Sequence, residues 1–286
     1  MELKAIIQEI DQLRIALDRH RPFNESKINR LQQKVKLQWN YHSNRIEGNT
    51  LTESETKTFL LNGITAGGKP FRDYLEMKGH NEAINKLYRL IDKELSITET
   101  LIKDFHQMIL VEVFRDEYAE INPGEWKTRN NYLYSSTGER IDFAPADEVP
   151  QLMNELINWV NNQMSPPKRK KDKYNLHPLL IASTFHVRFI DIHPFGDGNG
   201  RMARILSNVI LMVCGYVPFV VPSDTKDKYY LALNNSSADQ PTSIATYFGQ
   251  LLIQAMQETL AAVTGSGLED MDSINESLKD INEQLN

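Results

Sequence analysis

The tightest constraint on this chain lies between two apolar helical runs, STFHVRFIDI and ARILSNVILMV, joined by one short polar segment from His193 to Arg201. Three glycines, Gly196, Gly198 and Gly200, stand at alternate positions in that segment. With no Cβ in the way, such a backbone can turn sharply and bring its N–H groups together. The segment is therefore a loop that feeds a helix N-terminus. The second run belongs to an apolar stretch from Ala203 to Val221 that Arg204, Ser207, Asn208 and Pro218 interrupt. It reads as a buried helix and not as a membrane span.

The remaining pattern is mostly helical too. Leu3, Ile6, Ile10, Leu13 and Leu17 recur every three or four residues, as one face of a helix does. A second helix carries Ile28, Leu31, Val35 and Trp39 inward. Thr52 with Glu55 forms a capping box before KTFLLNG, and Gly63 marks its stop. Ser96 with Glu99 reads as a second box, ahead of Leu101, Ile102, Phe105, Met108 and Ile109. Further helices are expected over 73–93, 147–163, 178–190, 199–214, 225–236 and 242–263. One stretch departs from this pattern. Tyr132 and Tyr134, then a polar turn with Gly138, then Ile141 and Phe143 read as a β-hairpin. A lone hairpin needs support from elsewhere, so it must lean on the helices.

At 286 residues the chain is one large domain or two small ones. Its 38 acidic and 32 basic residues give a net charge of -6, which argues against an extended nucleic-acid surface but not against one local anion pocket. The single cysteine, Cys214, leaves no intramolecular disulfide and no cysteine-rich zinc site. The start, MELKAIIQEIDQLRIALDRH, mixes charges through its apolar positions and lacks the apolar core of a signal peptide, so the cytoplasm is the expected compartment. Ser165 to Lys173 reads as a solvated basic loop. Beyond GSG at 265–267, Leu268, Met271, Ile274, Leu278, Ile281 and Leu285 form an apolar seam that can pack back on the body or pair in a homodimer.

The chemistry concentrates in His193-Pro194-Phe195-Gly196-Asp197-Gly198-Asn199-Gly200-Arg201, with Arg204 one turn on. Converging N–H groups at a helix N-terminus make an anion site. Asn199 adds side-chain donors, and Arg201 and Arg204 can reach back to a polyphosphate as planar forks. Asp197, a carboxylate in a cationic nest, suits Mg²⁺, which favours one or two carboxylates plus phosphate oxygens. The His193 imidazole can take a proton from a hydroxyl at neutral pH. Together these parts describe phosphate-bond chemistry.

HPFGDGNGRMAR resembles the signature of the Fic family, HPFx(D/E)GN(G/K)R followed by a second arginine, and the resemblance extends over roughly 40–260. It implies a mainly α fold, a helical bundle with a β-hairpin flap over the active site, here Thr128 to Phe143. It implies transfer of AMP from ATP to a Ser, Thr or Tyr hydroxyl of a target protein. His193 would be the base, Asp197 the Mg²⁺ ligand, Gly196, Gly198, Asn199 and Gly200 the anion hole, and Arg201 and Arg204 the β- and γ-phosphate partners. Ser43-Asn44-Arg45-Ile46-Glu47-Gly48 is similar to the family's inhibitory pattern (S/T)xxxE(G/N), in which the glutamate pairs with the second arginine, here Arg204. Tyr229 and Tyr230 fall where the family contacts the base, but Ser236-Ser237-Ala238-Asp239 stands where an Asn-x-Gly-Asp run is usual.

The implied organisation is 1–95 as N-terminal helices with the inhibitory motif at 43–48, 96–264 as the core with its signature loop at 193–204, and 265–286 as an amphipathic C-terminal helix. The expected cofactors are ATP and Mg²⁺, and the expected partner is a protein with a modifiable hydroxyl, with no nucleic acid and no membrane. Another diphosphate donor, removal of AMP with Glu47 positioning water, and a non-catalytic interaction module stay open as alternatives.

Overall fold

The computed structural model describes residues 2–91, 95–110, 122–134, 138–165 and 175–265. Most of the basic loop at 165–173 and all but the first residue of the 265–286 seam lie outside the described residues. Ten helices are described: α1 (Leu3–Asp18), α2 (Glu25–Ile46), α3 (Glu53–Asn62), α4 (Phe71–Leu90), α5 (Glu99–Leu110), α6 (Val149–Met164), α7 (Pro178–Ile192), α8 (Asn199–Val213), α9 (Lys226–Asn234) and α10 (Thr242–Thr264). Two short strands, β1 (Tyr132–Tyr134) and β2 (Arg140–Asp142), pair antiparallel with Leu133 opposite Ile141. The mainly α bundle with one hairpin is as expected. No described helix is long and apolar enough to cross a membrane.

The two runs that flank the glycine loop are α7 and α8, and they pack against each other at the centre. Phe185, Phe189, Leu206, Val209 and Ile210 from these helices are fully buried. Each such side chain contributes about 1.5–3 kcal/mol of hydrophobic stabilisation. α1 buries its expected face, Ile6, Ile10, Leu13 and Leu17, chiefly against α10. α4 bridges α2 and α5, which brings three helices beside the N-terminus of α8. Ile6, Trp39 and Leu87 of the segment 2–91 share a hydrophobic core with the other described residues, while Leu51, Tyr74 and Met77 form a second, smaller cluster.

Local signals acted as their chemistry dictates, with one exception. Thr52 accepts from the Glu55 N–H while the Glu55 carboxylate accepts from the Thr52 N–H, and Gly63 closes α3. The box expected at Ser96 is not the cap of α5. Thr98 Oγ1 accepts from the Leu101 N–H at 3.1 Å, so the helix starts two residues later than the Ser96 reading implies. The capping-box pattern favours Ser96, which has Glu99 three residues on where Thr98 has Leu101. Leu95 and Ile97 precede the helix, and Ile97, fully buried and pinned through its N–H and C=O to the Asn161 side chain, keeps the chain extended past Ser96.

A groove of about 700 Å³ opens between α2, the loop after α8 and α10, lined by Leu31, Val35, Met212, Val217 and Leu251 among others. No residue of the signature loop lines it.

Candidate active site

α7 ends at His193, which has φ +49 and is the only non-glycine with positive φ among the described residues. Its imidazole stacks on Phe143, at the root of the hairpin, with ring centroids 3.7 Å apart. His193 Nδ1 lies 3.3 Å from the Ile190 carbonyl oxygen. A carbonyl only accepts, so this contact places the hydrogen on Nδ1 and leaves the Nε2 lone pair free. Burial, reinforced by the Lys127 cation, pushes the imidazole down to about 4. At neutral pH it is an uncharged proton acceptor.

The loop after His193 is held from both sides. Phe195 is fully buried and stacks on His106 of α5 at 3.6 Å. His106 Nε2–H donates to the Asp197 carbonyl at 2.9 Å, and its Nδ1 accepts from the Gly124 N–H at 2.8 Å. Burial holds His106 near 4, so it stays neutral with a fixed tautomer. Asn199 Nδ2 donates to the Phe195 carbonyl at 2.8 Å, and Asn199 Oδ1 accepts from the Phe195 N–H at 3.0 Å. Its amide therefore braces the loop, which revises the expectation that it serves first as a donor to the anion. Gly198, at φ +77, caps α8 in the left-handed region that glycine tolerates.

The first turn of α8 presents N–H groups with no intrahelical partner. Arg201 emerges there, 2% exposed. Glu76 and Asp197 approach it only to 3.6 and 3.7 Å, and its Nε and Nη1 have no hydrogen-bond partner. A buried guanidinium with open N–H groups is costly unless a ligand completes it. Asp197 itself is half-exposed, with Arg72 at 3.8 Å. No group of three metal-ligating side chains forms among the described residues. One accessible carboxylate next to an incompletely partnered arginine fits Mg²⁺, which favours one or two carboxylates plus phosphate and water oxygens.

Arg204, one turn along α8, is fully engaged. Its Nη2 donates to Glu47 Oε1 at 2.7 Å and to the Ser43 carbonyl at 2.9 Å, and its Nε donates to Ser43 Oγ at 3.1 Å. Ser43 lies in the last turn of α2 and Glu47 just after it, so one helix end delivers both groups. Partial loss of hydration opposes the charge on Glu47, but Arg204, then Arg201, hold its carboxyl below the usual carboxylate range. A Cβ at Gly200 would collide with Glu47 Oε1, so the approach of this carboxylate depends on glycine there.

Of the two tyrosines expected at the base, Tyr229 is 1% exposed, and its hydroxyl donates to His186 Nε2 at 2.8 Å. Ser207 gives its own hydrogen to the Ala203 carbonyl and accepts from His186 Nδ1–H, which fixes that tautomer. Tyr229 therefore belongs to the core beneath Arg204 and has no free face for a base. Tyr230, 39% exposed, keeps one. Sequence reasoning missed His106, Lys127, Asn131 and Glu76, all of which reach the loop from other elements. Lys127 lies in the run PGEWKTR, residues 123–129, whose residue types carry no signal of this contact.

The site thus sets an uncharged imidazole beside a buried arginine whose Nε and Nη1 lack hydrogen-bond partners. The chain belongs to the Fic/DOC family, whose sequence profile matches residues 96–211. It is 33% identical to a Fic domain containing signaling protein from Bacteroides thetaiotaomicron, over 91% of this chain and 98% of that one, with a TM-score of 0.81. It is 31% identical over 245 residues to a protein adenylyltransferase Fic from Drosophila willistoni, which covers 82% of this chain. The chain spans about half the length of that relative, 46%. The fold also matches Fic-1 from C. elegans, with a TM-score of 0.76 at 23% identity over 93% of this chain and 74% of that one.

Proposed function

We propose that the chain transfers AMP from ATP to a hydroxyl of a target protein, and that Glu47 holds this activity down. The observation that carries the reading is Arg201, a buried guanidinium with two open N–H positions at the N-terminus of α8, in the loop that begins with a neutral His193. Phosphate oxygens would complete Arg201 and the first-turn N–H groups. His193 Nε2 then takes the proton of the target hydroxyl. Its oxygen forms a bond to the α-phosphorus, and the bond to the pyrophosphate oxygen breaks. Mg²⁺, held by Asp197 and phosphate oxygens, would supply neutralising charge. Arg204, now committed to Glu47 and Ser43, would serve the γ-phosphate when released. The hairpin offers exposed strand edges beside His193, suited to main-chain pairing with a target segment.

Label position separates this reading from its rivals. With Glu47→Gly protein in lysate, label from ATP carrying it on the α-phosphate is expected on protein, and label on the γ-phosphate is not. Transfer from another diphosphate donor, such as a phosphocholine or uridylyl donor, with none from ATP, would replace the donor. Loss of label from a premodified target would point to removal of AMP.

Gly200 provides a further check. The signature admits lysine at this position, so the cradle itself can accept a Cβ. Gly200→Ala is expected to push Glu47 off Arg204 and raise transfer about tenfold. An unchanged rate with ATP affinity intact would show that Glu47 yields without releasing Arg204.

A further inference from the structure

The chain on either side of His193 is held by one short stretch, residues 127–131, between α5 and the hairpin. The Lys127 N–H donates to the Pro194 carbonyl at 2.8 Å. Lys127 Nζ donates to the Ile192 carbonyl at 3.2 Å and to Asn131 Oδ1 at 2.6 Å. Asn131 Nδ2 donates to the Phe195 carbonyl at 3.1 Å. The carbonyls of residues 192, 194 and 195 are thus all pinned from this stretch. The same Asn131 accepts, through its own carbonyl, from the N–H of Phe143, whose ring covers His193.

His193 needs such support. Its φ of +49 places a β-carbon in the left-handed region, a conformation that persists only where the surroundings over-determine it. The Lys127 ammonium is buried at the C-terminal end of α7, where carbonyls accumulate and a cation is favoured. A hydrophobic plug would fill that space, but it would leave the Ile192 carbonyl and the Asn131 amide oxygen without this donor.

We propose that Lys127 is the positioning residue of His193, fixing the backbone of the base and tying it to the root of the flap so that target docking and proton abstraction share one support. Its effect on rate rests on the AMP-transfer reading; its effect on geometry rests on the hydrogen bonds alone. The charged groups that face the imidazole are Lys127, Glu47 and Asp197. Burial lowers the imidazole most, Lys127 lowers it further, and the two carboxylates oppose them. Burial also brings Lys127 itself down to about 8, within reach of an ordinary pH profile.

The test compares Lys127→Met, Lys127→Arg and Asn131→Ala in Glu47→Gly protein, reading kcat, KM for ATP and the NMR titration of the His193 ring. Lys127→Met is expected to lower kcat about 100-fold while KM for ATP changes less than about threefold, because the arginine cradle is untouched. The His193 titration should move upward from about 4. Lys127→Arg should recover most of kcat, and any alkaline fall near 8 should move beyond the measurable range. A kcat within threefold of the parent, or a fall accompanied by an unmoved His193 titration, would overturn the proposal. If the parent transfers no AMP, the functional reading has failed, and the titration alone still decides on Lys127. If Lys127→Met does not fold, Asn131→Ala is expected to lower kcat about tenfold, and no loss overturns the proposal.

Discussion

Glu47→Gly is expected to raise AMP transfer on the order of 100-fold, because it frees Arg204 to hold the γ-phosphate and so aligns the α-phosphorus for attack. Two effects compete in this variant. Arg204 is buried and loses its one carboxylate partner, keeping its hydrogen bonds to Ser43. Removing one partner of a fully buried pair costs about 3–5 kcal/mol. The Glu47 side chain is 31% exposed, however, so water can reach the vacated place and about 1 kcal/mol is the expected loss. Activity should therefore rise while the melting temperature falls. ATP should restore the melting temperature more in the variant than in the parent, since a ligand stabilises the state it binds. Glu47→Ala should behave alike, which removes added backbone freedom as the cause. Equal transfer by parent and both variants, measured with α-labelled ATP, would sink the inhibitory role.

His193→Asn is expected to lower transfer at least about 1000-fold in the Glu47→Gly protein, the range removed with a general base. Asparagine is the informative replacement because it tolerates the left-handed backbone that His193 occupies. Alanine would lose the base and strain the loop together. The dissociation constant for ATP should stay within about threefold, since the proposed contacts to phosphate come from α8 and not from His193. The parent's kcat/KM should also carry an acid limb far below that of a free histidine. Protonation removes the acceptor, so the rate falls as pH drops through about 4 and stays level between pH 5 and 7 as far as this group is concerned. A limb near 6.5 would mean that the ring is not buried as described, and full activity in the asparagine variant would remove His193 from the chemistry.

How much of this was legible in the sequence follows from the range of each interaction. The α7–loop–α8 unit was legible because its determinants are local: apolar runs that can only be buried, glycines in the turn and a ring of polar types within a dozen residues. Ser43 and Glu47 were legible as a pattern, and their pairing with Arg204 came from the family resemblance, since 157 residues separate Glu47 from Arg204. His106 was not legible. It looked like an interior residue of an amphipathic helix, and only the packing of α5 on α8 turns its Nε2–H toward the Asp197 carbonyl. Lys127 resembled any lysine in a turn, because nothing in PGEWKTR says that its ammonium is buried against the end of α7. Asn199 and Tyr229 were read as ligand contacts because the types fit. The structure spends the amide on Phe195 and the phenol on His186, local tasks that a residue type cannot distinguish from recognition.

The contact of Ser43 and Glu47 with Arg204 joins parts of one continuous chain through a shared core. The brake proposed for Glu47, built this way, could not be diluted away. Its local concentration is set by the α2 anchor and is the same in a cell holding few copies as in one holding many. A tethered group commonly acts at millimolar effective concentration or above, so on that proposal nucleotide would face a competitor of constant strength at every expression level. Making more of the protein would multiply restrained molecules in equal proportion. On the proposed reading, relief would have to come from something that changes the seat of α2 on each molecule, and the output would report on that event and not on abundance.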